Sequence, residues 1–162
     1  MQPLTALLPG AAHLQNLHPI VVHFPIAFLT MAGPLYVLAG VLRREALAKT
    51  AFLFLAFGCL AAAVAAATGL YAQDGVMVAK SVREHLLHAH KQWMLAAFYL
   101  SIILTLWASF TAGFPKKGRL VFVLLSLLLI AVMAKGADYG GRMVYDYNAG
   151  GNACSQPIEF SR

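Results

Sequence analysis

LHPIVVHFP, residues 17–25, leads into IAFLTMAGPLYVLAGVL, and the combined stretch decides the fold. From about residue 19 to residue 42 the chain is apolar except for His23, Thr30 and Tyr36. A helix needs about 20 such residues to cross the hydrocarbon of a bilayer. Pro19 suits a first helical position. Pro25 lacks the N–H that would bond the Val21 carbonyl, so the helix is expected to bend there or to begin there in earnest. His18 and His23 therefore sit at the mouth of a membrane span. A histidine entering hydrocarbon is costly unless it is neutral, hydrogen-bonded or holding a metal, which marks the pair as candidate functional residues. Hydrogen bonding between helices is the plainer alternative.

Working outward, the rest of the chain supports a membrane setting. Of 162 residues 60% are hydrophobic and 11% charged, and the mean hydropathy is +0.72. That balance excludes an ordinary soluble globule. Further apolar stretches cover about 50–71, 92–110 and 120–138. The expectation is an all-α integral membrane four-helix bundle, one domain over 1–162 with a short polar C-terminal tail. Span two carries Gly58, Ala62, Ala65 and Gly69 at helical spacing, a smooth face expected to let helices pack closely; clearance for a flat cofactor is the alternative. Cys59 and Cys154 differ too much in depth to pair. No CxxCH occurs, which argues against covalent haem. The first residues lack a basic n-region and a cleavage pattern, so span one is expected to remain in the mature chain. No long repeat is visible.

Alternating spans place the N-terminus, the loop after span two and the C-terminus on one side, and all six histidines fall at that end. The opposite turns hold Arg43, Arg44, Lys49, Lys116, Lys117 and Arg119 against Glu45 alone. The net charge of +6 thus marks topology rather than a nucleic-acid partner, and the positive-inside tendency puts the histidine end and both termini on the periplasmic face of a bacterial inner membrane. His23 lies five residues inside His18, and His90 five inside His85, each step about 7.5 Å along a helix. Spans one and three run parallel, so His23 and His90 are expected at one depth, as the axial ligands of a haem b must be. Five residues turn a helix by about 140°, which leaves His18 for a second site, a propionate or a cap. Arg142, Arg83 or Lys91 would neutralise propionates. His85 and His88, three apart, share a face, with Glu84 one turn before His88 as its candidate partner, and the two histidines read as a solvated turn. The alternative metal reading is copper or zinc held by His18, His23, His85, His88 and His90. A third reading is a structural subunit anchored through the tail around Cys154. Hydrolytic catalysis lacks a nucleophile motif, so a redox carrier is expected in preference to an independent enzyme.

Three motifs, LHPIVVHFPIA, AHKQW opening span three, and GGRMVY after span four, resemble a bacterial family of small four-helix membrane proteins catalogued as a domain of unknown function. The resemblance spans nearly the whole chain and singles out His18, Pro19, His23, Pro25, His90, Gly140, Gly141, Val144 and Tyr145. The family's usual ending after the tyrosine is replaced here by DYNAGGNACSQ. Similar proteins often accompany c-type cytochrome modules, which implies electron transfer. The expected partners are thus membrane lipid, the quinone pool and an external or periplasmic cytochrome.

Overall fold

The four apolar stretches fold as four helices in the computed structural model, which describes residues 16–149. They are α1 (His18–Leu42), α2 (Glu45–Ala72), α3 (Lys80–Phe110) and α4 (Arg119–Tyr145), each long and apolar enough to cross a membrane. No strand occurs among the described residues. The helices outrun the apolar stretches that seed them. α3 starts at Lys80 and passes through a π-helical turn, Arg83–Leu87, before His88–Phe110. α4 carries on through Gly140 and Gly141, where the residue types suggest a loose tail. Polar turns at a span's ends still satisfy their backbone groups best as helix.

Helix α1 is interrupted at Val22, between His18–Val21 and His23–Leu42. Val22 N–H donates to the His18 carbonyl at 3.1 Å and Ile26 N–H to the Val22 carbonyl at 3.3 Å. Pro25 has no N–H to give Val21. The irregularity expected near the proline thus falls at Val22, beside the Val21 carbonyl that Pro25 cannot serve.

Helix α1 packs on α2 and α4, and α3 packs on the same two, so α1 and α3 face each other diagonally. Buried positions recur at alternating steps of four and three, the spacing of helices packed at a shallow crossing angle. The two hairpins bury corresponding positions. Pro25, Leu29, Ala32 and Tyr36 of α1, moved on by 72 residues, become Ala97, Ser101, Leu104 and Ala108, all buried. Ala51, Leu55, Gly58, Ala62 and Ala65 of α2, moved on by 71, become Phe122, Ser126, Leu129, Met133 and Gly136, again all buried. None of these pairs shares a residue type, so along the buried stripes the repeat resides in burial.

The end carrying the basic turns is closed by aromatic side chains. Tyr36 meets Phe122 edge-on at 4.8 Å and Phe114 at 5.1 Å, Trp107 meets Phe122 at 5.5 Å, and the Arg119 guanidinium covers Phe114 at 4.7 Å. The buried Tyr36 hydroxyl donates to the Gly113 carbonyl at 3.0 Å. Gly113 sits at φ +91°, a conformation that an L side chain rarely adopts. Tyr36→Phe is expected to lower stability by about 1–2 kcal/mol, because a shielded carbonyl loses its donor; thermal unfolding in mild detergent measures it. The smooth face of α2 serves packing: a Cβ on Gly58 would lie 2.6 Å from Leu29 Cδ2. Outward positions such as Leu38, Phe57, Leu60, Ile103 and Leu124 are exposed, as lipid-facing side chains of a membrane protein are.

Candidate histidine site

At the end opposite the aromatic plug, helix rotation sorts the histidines. His23 is exposed, and its Nδ1 lies 3.3 Å from the Ile20 carbonyl of its own helix. His85 and His88 are exposed as well, with His85 Nδ1 2.9 Å from the Ser81 carbonyl. His18 and His90 are half-buried, and their imidazoles are close enough to interact electrostatically. The side chain brought to His90 is therefore His18 and not His23. Both depth and facing differ from the expectation for His23: the register that matches Pro25 with Ala97 puts His18 level with His90 and His23 about a turn deeper, and the inward stripe through Pro25, Leu29 and Ala32 leaves His23 outside.

Each ring of the pair is held by the second helix of its own hairpin. His90 Nδ1 lies 2.8 Å from the Gly136 carbonyl, which can only accept, so Nδ1 carries the proton. His18 Nδ1 lies 3.2 Å from Thr68 Oγ1. The Thr68 hydroxyl proton is directed at the Val64 and Ala65 carbonyls, at 2.9 and 3.1 Å. With that proton so engaged, a lone pair of Oγ1 is available to His18, an arrangement that suits a proton on Nδ1 there too. Both rings are left presenting an Nε2 lone pair. No fully shielded side-chain nitrogen or oxygen lacks a partner among the described residues, so neither Nε2 is sealed from a molecule the size of water. An Nδ1–H fixed by an acceptor beside a free Nε2 is how proteins commonly prepare a histidine to bind a metal.

Glycines make room for both rings. A Cβ on Gly69 would stand 2.8 Å from His18 Cε1, and one on Gly140 would stand 3.0 Å from His90 Cε1. Gly69 belongs to the smooth face read from the sequence, whereas Thr68 and Gly136 were missed. The available signal was the spacing of each histidine to its glycine, 51 residues in one hairpin and 50 in the other.

The remaining candidates serve other ends. Arg83 donates to the Gln73 and Val76 carbonyls at 2.6 and 2.8 Å, bracing the loop between α2 and α3. Arg142 lies 3.7 Å from Asp146 and lines a shallow depression of about 210 Å³ with Asp138, Gly141 and Tyr145. Residues 138 and 142 follow 136 and 140 by two positions, about 200° around α4, so Arg142 is turned away from His90. Lys91 Nζ donates to Gln73 Oε1 at 3.2 Å. Glu84 pairs with Lys80 at 3.8 Å, in place of the partnership with His88 that its spacing suggests. Among the described residues no three His, Cys, Asp or Glu come together as a metal-binding group, so the five histidines do not form one cluster there. Cys154 lies outside the described residues.

These features define a class: an all-α membrane protein of four spanning helices with an imidazole pair inside one end of the bundle. The chain belongs to the family described as Predicted membrane protein (DUF2231), which matches residues 14–153. No curated protein and no solved structure matches it.

Proposed function

We propose that His18 and His90 would hold a haem b, and that the protein is an electron-transfer subunit working between the quinone pool and a cytochrome outside the membrane. The observation that carries this reading is that both rings of the pair are anchored through Nδ1. Two neutral imidazoles on diagonal helices each commit Nδ1–H to an acceptor of the neighbouring helix and leave Nε2 free. The donor set fits the group, since a bis-imidazole haem is low-spin and passes electrons with no position open to oxygen. Gly136 and Thr68 orient the rings, and Gly69 and Gly140 let them lie close to the backbone. The six bases of the opposite turns support a cytoplasmic position for that end and a periplasmic one for the histidines, in a bacterial inner membrane.

Copper is the second reading, favoured by the ligand count: copper(I) is satisfied by two imidazoles in line, whereas zinc takes four ligands and would need donors from beyond the described residues. An absorbance spectrum of the protein purified in mild detergent, oxidised and then reduced, tests the proposal. A Soret band that shifts on reduction is expected, abolished by His18→Ala and by His90→Ala and retained in His23→Ala and His88→Ala. A colourless protein, or a band surviving in either of the first two variants, refutes it; metal analysis of the same sample identifies copper.

A further inference from the structure

The buried stripes of the two hairpins correspond at shifts of 72 and 71 residues. A heptad alone would match at several shifts. The histidine site selects this one, for His18 moved by 72 is His90, and Gly69 moved by 71 is Gly140. The same shift carries Ala65 onto Gly136. In the second hairpin His90 reaches the Gly136 carbonyl directly, at 2.8 Å. In the first, the Thr68 hydroxyl joins the carbonyl beside the ring: His18 Nδ1 is 3.2 Å from Thr68 Oγ1, which is 3.1 Å from the Ala65 carbonyl, and the imidazole also interacts with that carbonyl itself. Each hairpin thus supplies one imidazole, one glycine against which it lies and one backbone carbonyl to which it is tied. Because α1 and α3 start at the same end, the repeats are parallel and their relating axis runs along the membrane normal.

We infer that the chain is a tandem of two equivalent helical hairpins, each giving half of the histidine site, and that Thr68 is the positioning residue that makes the halves unequal, by bringing to His18 Nδ1 a hydroxyl that has no counterpart at His90. A carbonyl draws on an imidazole N–H more strongly than a hydroxyl does, so His90 is the more electron-rich ring and His18 the weaker donor. A centre held by both is bound by two unlike ligands on a nearly symmetric scaffold. Removing the hydroxyl while keeping its bulk takes from His18 Nδ1 its partner at 3.2 Å and leaves His90 untouched.

The halves are distinguished in the metal-free full-length protein, labelled with 15N-histidine in detergent, by long-range 1H–15N spectra that report which ring nitrogen is protonated. His18 and His90 are both expected to show Nδ1–H. Thr68→Val is expected to abolish the Nδ1–H signature of His18 alone, and Thr68→Ser to restore it. An Nε2–H tautomer at His18 in the unaltered protein overturns the inference, as does an unchanged His18 signal in Thr68→Val, and the spectrum of the unaltered protein decides even should that variant not fold. The ligand role rests on the haem reading, so a second measurement separates the two. In haem-bearing protein, Thr68→Val is expected to shift the midpoint potential and Thr68→Ser to return it. Tautomers as expected in a protein that takes up no haem uphold the positioning role and sink the haem.

Discussion

Gly58→Leu is expected to destabilise the bundle by about 2 kcal/mol net. Replacing a helical glycine gains about 1 kcal/mol of intrinsic propensity, and overpacking a filled interior costs about 3 kcal/mol at its upper end. The cost prevails here because the first added carbon would already meet Leu29 Cδ2 at 2.6 Å, its Cγ at 2.7 Å and its backbone nitrogen at 3.1 Å. Leu29 is buried and can swing away only into neighbours that are themselves packed. The broadest contact in the molecule, between α1 and α2, passes through this point. Gly40→Ala is the control, since a Cβ there comes no closer than 3.8 Å to Phe114, and it should leave stability unchanged or slightly raised. Thermal unfolding in mild detergent, followed by helical circular dichroism, compares the two; equal melting of Gly58→Leu and the unaltered protein would contradict the packing described.

Gly140→Leu is expected to expel His90 from its seat while the helices remain folded. The new Cβ would stand 3.0 Å from both Cε1 and Nδ1 of the ring, and the branched remainder of the leucine needs the volume the imidazole fills. The bond to the Gly136 carbonyl would break, at a cost of about 1 kcal/mol. Any centre shared by the two imidazoles would lose one of its ligands. The equivalent change in the other hairpin, Gly69→Leu, should displace His18 and have the same outcome, since its Cβ would face Cε1 at 2.8 Å. Gly141→Ala is the neighbour that should do nothing, its nearest atom being Tyr145 Cδ2 at 3.9 Å. The absorbance of the purified proteins reads the outcome, with circular dichroism as the check on folding. If the purified protein carries the proposed haem, full retention of its Soret band in Gly140→Leu would mean that His90 does not hold it.

The expected smooth face of α2 illustrates how far residue types reach. Small residues at helical spacing say that something approaches closely, and both Leu29 at Gly58 and His18 at Gly69 do. They do not say which side chain arrives, because that belongs to the partner helix. Arg83 shows the same limit from the other side. Its place near the histidines made it a plausible anchor for a propionate, but the loop after α2 has carbonyls of its own to satisfy, and the guanidinium goes to Gln73 and Val76.

What residue order alone determined is one-dimensional. Four apolar runs of membrane length, basic turns at one end and histidines at the other follow from transfer energies, and from a rise of about 1.5 Å per residue that converts sequence position into depth. What only the tertiary structure decided is rotation, together with the axial register of one helix against another. His18 rather than His23 faces His90, Arg142 faces outward, and α4 stays helical through Gly140 because its glycines receive a ring and do not loosen the chain. The angle of each helix about its own axis is set by contacts between residues some 50 positions apart, such as His18 with Gly69 and His90 with Gly140, and no local pattern encodes such contacts.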